Sequence, residues 1–181
     1  PLSPAYQGGF PTLKNPVLIT SIVWILTAGG QLVAAWILYD PTGNSARINL
    51  GWLIIFISGI FGWLPIFTFR SRGKVEGRSY INTTALVDSG VYSIVRHPQY
   101  LAGILITIGA TLITWHWLVL LLGLASIGMY WWSSVVEEEK NLEKFGDAYR
   151  DYQEHVPRFN FVWGLIRKLV NSRSTNQGEQ R

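Results

Sequence analysis

The chain alternates between long uncharged runs and short polar segments, and this pattern sets the expected architecture. Residues 1–16 carry Pro1, Pro4, Pro11 and Pro16 with Gly8 and Gly9, an irregular lead-in with no basic-then-apolar leader pattern. Val17 to Tyr39 contains no charge until Asp40 and, at about 1.5 Å per residue, is long enough for a hydrocarbon core of roughly 30 Å. Asp40-Pro41-Thr42-Gly43-Asn44 is a turn signal, and Ile48 to Phe69 is again uncharged, with Pro65 a potential kink and Gly51, Gly59 and Gly62 offering either close helix approach or simple packing tolerance. Arg70 to Tyr80 turns abruptly basic. Two further apolar stretches, Tyr100–Thr114 and Trp117–Val136, flank Trp115-His116-Trp117, which reads as the interfacial turn of a helical hairpin. The first of the two is about 15 residues long, short for a span unless tilted or extended. From Glu137 a charged helix is expected, with Leu142, Phe145, Tyr149 and Tyr152 on one face, ending at Val156-Pro157.

The expected fold is therefore all-α: a polytopic helical membrane protein of about four transmembrane helices with helical cofactor-binding segments on the cytoplasmic side. Its parts are the lead-in (1–16), two N-terminal spans (17–69), a core with the hairpin and the following helix (70–160), and a C-terminal tail (161–181), partly disordered because Asn171–Arg181 is polar. Composition agrees, since 49% hydrophobic residues and nine Trp in 181 residues, with mean hydropathy +0.22, exceed what a soluble domain of this size carries. Fourteen of the fifteen Lys and Arg fall on one side of a four-span layout, only Arg47 on the other, so that side, holding both termini, is expected to be cytoplasmic. This placement explains the net charge of +4 better than nucleic-acid binding does. With no cysteine and three scattered histidines, no metal site is expected.

Candidate chemistry concentrates at Leu86–Tyr100. Asp88-Ser89-Gly90 is a turn, and Pro98 suits a first helical position, so the free N–H groups of that helix would form an electropositive mouth beside His97, fit for a carboxylate. His97 is either a ligand residue or a helix cap. Arg96 could pin a lipid headgroup, pair with a glutamate or bind a carboxylate. Glu138 lies four residues before Leu142 and seven before Phe145, so it extends an apolar face; a carboxylate there is costly unless paired with Arg96, Arg158 or a cationic ligand. Tyr92 and Tyr100 read as interfacial anchors, and His116 as an interface residue on the far side.

The string Gly90-x-Tyr92-x-x-x-Arg96-His97-Pro98-x-Tyr100, followed by Glu137-Glu138, by Phe145-Gly146-Asp147-x-Tyr149-x-x-Tyr152 and by Val156-Pro157-Arg158, resembles the C-terminal core of the isoprenylcysteine carboxyl methyltransferase family, a group that includes phospholipid methyltransferases. The likeness covers about residues 84–160. It implies an S-adenosyl-L-methionine-dependent methyltransferase, with S-adenosyl-L-homocysteine as product, acting on a lipid-like or amphipathic acceptor among membrane lipids. It implies cofactor contact by Val87, Gly90, Tyr92, His97, Tyr100, Glu137 and Glu138, and substrate-positioning or catalytic roles for Arg158, with Arg96 and Glu138 beside it. The family's further proline after the last arginine is replaced by Phe159-Asn160-Phe161. A similar layout in NADPH-dependent membrane sterol and enone reductases is an alternative, opposed by the Glu137–Glu139 run, which would repel a dinucleotide phosphate; a non-catalytic membrane protein of the same fold is another.

Overall fold

A computed structural model describes residues 22–72 and 86–178, with side chains over 22–68 and 86–170. The lead-in, the start of the first expected span, most of the basic segment after Arg70 and the last residues of the tail lie outside the described residues. Every element found is helical: α1 (Ile22–Ile37), α2 (Ser45–Arg72), a 3₁₀ turn (Gly90–Ser93), α3 (Pro98–Thr114), α4 (Trp117–Phe145), α5 (Asp147–His155) and α6 (Phe161–Gly178). Within α1, Ile25–Gly29 is wound as a π-helix.

Two helices, α2 and α4, are long and apolar enough to cross a membrane; α1 and α3 are apolar but shorter. Only 17% of the most apolar 18-residue window of the α2 span Ser45–Thr68 is buried inside the molecule. A helix with so little of its apolar surface covered is not the core helix of a soluble domain. Its outward residues, among them Trp52, Phe56, Ile60, Trp63 and Phe67, are exposed together with Trp36 of α1 and Trp131 of α4, which is the surface a hydrocarbon solvent requires.

Since apolar side chains gain little by leaving lipid for one another, the helices are joined by close backbone approach and by polar bonds. The tightest crossing is α2 on α3: a Cβ added to Gly51 would lie 2.8 Å from the Gly109 carbonyl oxygen, and one on Gly109 2.8 Å from that of Gly51. Gly59 meets nothing within 4 Å, so of the α2 glycines Gly51 is the one that a neighbouring backbone demands. Further along, Ser58 Oγ donates to the Ala102 carbonyl at 2.9 Å. Gln31, fully buried, ties α1 to both hairpin helices, Nε2 donating to the carbonyls of Thr107 (3.0 Å) and Val119 (3.3 Å).

Chain direction places the connections at two ends. At one, Asn44 Oδ1 caps α2 by accepting from Arg47 N at 2.9 Å, the Arg47 guanidinium donates to the carbonyls of Leu112 and Ile113 at the end of α3, and it stacks on Trp115. His116, expected to be an interface residue, also caps α4 by accepting from Leu118 N. At the other end lie the start of α3 and the exit of α4, where the polar residues of interest collect.

Two expectations need correction. The helix expected from Glu137 to Val156 is broken at Gly146, whose φ of +56° and ψ of −130° no other residue adopts without strain. The break lets α5 fold back, so that Tyr149, Tyr152 and Val156 still bury against Leu142, Phe145 and Leu86. The tail, read as partly disordered beyond Asn171, is helical to Gly178. Its start is fixed by Asn160, whose Oδ1 accepts from Trp163 N at 3.0 Å, and no proline interrupts it afterwards. Pro65, a potential kink, sits inside an unbroken α2.

Candidate functional site

The site is built on the turn that precedes α3. Gly90 has φ +65°, and a Cβ there would also meet the Thr68 side chain at 2.9 Å, so both backbone and space exclude a larger residue. Ser93 Oγ closes the 3₁₀ turn on the Gly90 carbonyl at 2.7 Å. Val91, Val95 and Leu101 are buried together with Phe61, Phe159 and Phe161 packed on them. Held at both ends, the segment reaches Pro98 at the first helical position, with His97 kept out of the helical region before it (φ −123°, ψ 67°), as a following proline favours. Arg96 N donates to the Pro157 carbonyl at 3.0 Å and His97 N to that of Arg158 at 3.3 Å. This two-rung clasp joins residues 61 positions apart.

From the other side comes α4. Its buried positions are Val119, Gly123, Ser126, Tyr130, Ser134 and Glu138, a stripe stepping by three or four residues that faces the bundle and ends in a carboxylate. Glu138 is 4% exposed. Its Oε1 accepts from His97 Nε2 at 3.0 Å and from Arg158 Nε at 3.0 Å. Its Oε2 accepts from Arg158 Nη2 and from Gln153 Nε2 at 3.1 Å. Arg96 Nε lies 3.2 Å from Oε1 as an ion contact without hydrogen-bond alignment, while Arg96 Nη1 donates to the Gln153 carbonyl at 2.9 Å. A carboxylate between two guanidiniums stays ionised, so Nε2 is the protonated nitrogen of His97.

The neighbouring Glu137 has a different environment. One residue along a helix is a turn of about 100°, which takes Glu137 out of the bundle; its side chain is 49% exposed, with Oε2 4.0 Å from His97 Nδ1. With Tyr92, His97 and Tyr100 it lines an open cleft, to which Arg96 and Pro98 also contribute. Burial first, and then the negative charge of Glu137, pushes the Tyr92 phenol up, so it remains a neutral donor. The same holds of Tyr152, raised by burial and then by Tyr149 and Tyr92; its hydroxyl donates to the Tyr92 carbonyl at 2.7 Å. The wall toward the apolar surface is aromatic: His97 stacks on Tyr100 with centroids 5.5 Å apart, and the Arg158 guanidinium lies 4.9 Å from the centre of the Trp131 ring, against which Phe159 also packs.

Of the expected site residues, the structure brings Arg96, His97, Glu138 and Arg158 into one buried cluster and Tyr92, His97, Tyr100 and Glu137 around one cleft. Gly90 shapes the turn below the cleft, and Val87, half-buried just before it, is outside the cleft lining. Of the partners open to Glu138, the two arginines are present, and His97 joins them. The His97 side chain caps no helix; only its carbonyl begins α3. Sequence reasoning passed over Gln153, Trp131 and Phe159. Gln153 adjoins the buried Tyr152 and was legible as a polar group next to the packed face of α5, whereas nothing local distinguishes Trp131 from the other lipid-facing tryptophans.

A helical membrane protein with a polar, ion-paired site where its bundle ends is the class that fold and site define. Within that class, a sequence profile of the phospholipid methyltransferase family matches residues 46–148, more than half of the chain, and the chain belongs to that family of membrane methyltransferases. No curated protein and no solved structure matches the chain. The match takes in α2, α3 and α4 with Arg96, His97, Glu137 and Glu138, and stops before Gln153 and Arg158.

Proposed function

We propose that the chain transfers a methyl group from S-adenosyl-L-methionine to a lipid-like or amphipathic acceptor at the membrane surface, with S-adenosyl-L-homocysteine as the product. The observation that carries this reading is the half-exposed carboxylate of Glu137 facing His97, Tyr92 and Tyr100 across an open cleft, directly beside an apolar bundle. The donor set fits the charged end of such a molecule. A carboxylate and two phenol rings suit an ammonium or sulfonium, and Arg96 with the free N–H groups at the start of α3 suits a carboxylate. The cleft is open to solvent, so it serves as the subsite for that charged end and its mouth takes the rest.

When bound, the donor supplies a methyl group on a positively charged sulfur. The chain's own residues then have to align an acceptor and keep water away. In this reading the ammonium falls to Glu137, because the lone pairs of Glu138 are already engaged by His97, Arg158 and Gln153. Glu138 positions His97 and Arg158. Arg158, 23% exposed on its side chain and stacked on Trp131, stands on the apolar side of the cluster, where it would orient an anionic acceptor group; an amine acceptor would instead pass its proton to Glu137. Charge asymmetry supports a cytoplasmic position for this end of the bundle, membrane lipids being the partners and nucleic acid none.

Calorimetry on detergent-purified protein with S-adenosylmethionine, S-adenosylhomocysteine and NADPH tests the reading. The first two bind, NADPH does not, and Glu137→Gln weakens donor binding at least tenfold while melting as wild type. Binding of NADPH alone, binding of none, or full donor affinity in Glu137→Gln overturns it.

A further inference from the structure

Helix α6 is not needed to build the cleft, and the character of its two sides points to a separate role. Taking 100° per residue, the side turned to the protein holds Phe161, Gly164, Arg167 and Lys168. The Phe161 ring lies 5.1 Å from that of Phe61, and a Cβ on Gly164 would fall on the Ile94 carbonyl oxygen. Lys168 Nζ donates to Ser93 Oγ at 2.7 Å. The opposite side, an arc of about 160° by the same rotation, presents Val162, Trp163, Leu165, Ile166, Leu169 and Val170, all exposed at 45–58%. A helix in water would carry the reverse distribution.

Its depth follows from the same contacts. Phe61 lies inside the α2 span Ser45–Thr68. Lys168 reaches Ser93, which closes on Gly90, and Gly90 packs on Thr68 at the end of that span. Between Phe161 and Lys168, α6 therefore follows the last two turns of the Ser45–Thr68 span, whose own outward residues Ile60, Trp63, Leu64 and Phe67 are exposed as well. The two helices meet at Phe61 and Phe161, and each turns an apolar face outward.

We propose that the outward face of α6 is covered by the hydrocarbon of the bilayer: after α5 caps the bundle, the chain dips back to membrane depth at Val156–Asn160 and leaves again along α6. The occupant is lipid rather than a second chain because α6 packs through Phe161 on Phe61 of a span that already turns its outward residues to lipid. This inference rests on the family's membrane association and not on the identity of donor or acceptor.

The chain has no cysteine, so single cysteines can be placed in the full-length protein in vesicles of phosphatidylcholine and phosphatidylglycerol. Leu165→Cys, Ile166→Cys and Leu169→Cys are compared with Phe56→Cys in the α2 span and with Glu154→Cys on exposed α5, each bearing a nitroxide. The three α6 sites should collide with oxygen in preference to a water-soluble nickel chelate, as Phe56→Cys does, and react with an impermeant maleimide at least tenfold more slowly than Glu154→Cys. Labelling as fast as at Glu154→Cys places the face in water and overturns the proposal. Low collision with both relaxers shows cover by protein, a second copy included, and overturns it equally. All five positions are surface residues whose replacement leaves the interior intact, and a site that fails to insert leaves the others to decide.

Discussion

Replacing Glu138 by Gln removes one charge and almost no volume, so its effect isolates the electrostatics of the buried cluster. The neutral amide keeps an oxygen that accepts one hydrogen bond, but its NH₂ group is turned on an Arg158 or Gln153 donor, and two guanidiniums lose their counter-ion. Breaking a buried pair by removing one partner costs about 3–5 kcal/mol, because the remaining charge keeps its desolvation penalty. Exposure decides where in that range the variant falls. The Arg96 side chain is 11% exposed and His97 4%, so water replaces little for them, whereas Arg158 at 23% regains part of its hydration. A loss near the lower end, about 3 kcal/mol, is expected, and at 1.4 kcal/mol per decade it moves the folding equilibrium by about two orders of magnitude. Denaturation in mixed micelles, followed by near-ultraviolet dichroism, measures it. Adding Arg158→Met to Glu138→Gln should recover part of the loss, with Arg96 still unpaired, and the cycle of the two substitutions should show coupling of at least about 1 kcal/mol. If Glu138→Gln unfolds within about 0.5 kcal/mol of wild type, a surface-like value, the Glu138 carboxylate does not act as the buried counter-ion of the two arginines.

Gly146→Ala meets no steric neighbour but forces a side chain into φ +56°, ψ −130°; about 1–3 kcal/mol of destabilisation is expected, with α5 more open to proteolysis than α3, and equal protease resistance would count against the break. Gln31→Leu leaves volume nearly unchanged and removes the donor shared by Thr107 and Val119. Interhelical polar bonds in membranes are worth about 0.6–2 kcal/mol, so a small drop in melting temperature with unchanged donor binding is expected, and loss of donor binding would show that this buried glutamine reaches the site.

Much of this was written in the sequence because lipid imposes long uncharged runs and the turn chemistry is local. The four apolar stretches, the turn at Gly90, Pro98 at the first helical position and the demand of Glu138 for a cationic partner all follow from residue type and spacing. The break at Gly146 was hidden for a physical reason: Leu142, Phe145, Tyr149 and Tyr152 keep a spacing of three to four residues across it, so the period continues while the axis changes. The helix beyond Asn160 was masked by the polar composition of its last turns, although Val162–Val170 alternate as an outward apolar arc. That Arg158 would come back to Glu138 depends on the clasp of Arg96 and His97 with Pro157 and Arg158, a long-range backbone pairing that no local pattern encodes.

The two adjacent carboxylates divide their surroundings between them. Glu138 ends the inward stripe of α4 and is saturated by donors; Glu137, about 100° further round, looks into the cleft with half of its surface free. One imidazole touches both, Nε2 at 3.0 Å from Glu138 and Nδ1 at 4.0 Å from Glu137. A cation entering the cleft thus compensates Glu137 and alters the field on His97, whose other nitrogen shares Oε1 with Arg158. In the proposed reaction this links the donor subsite to the residue facing the acceptor through two side chains. The link depends on the imidazole rather than on the cleft's shape: His97→Phe keeps a ring to stack on Tyr100 and removes both nitrogens, and it separates the two halves of the site electrically while leaving the wall between them standing.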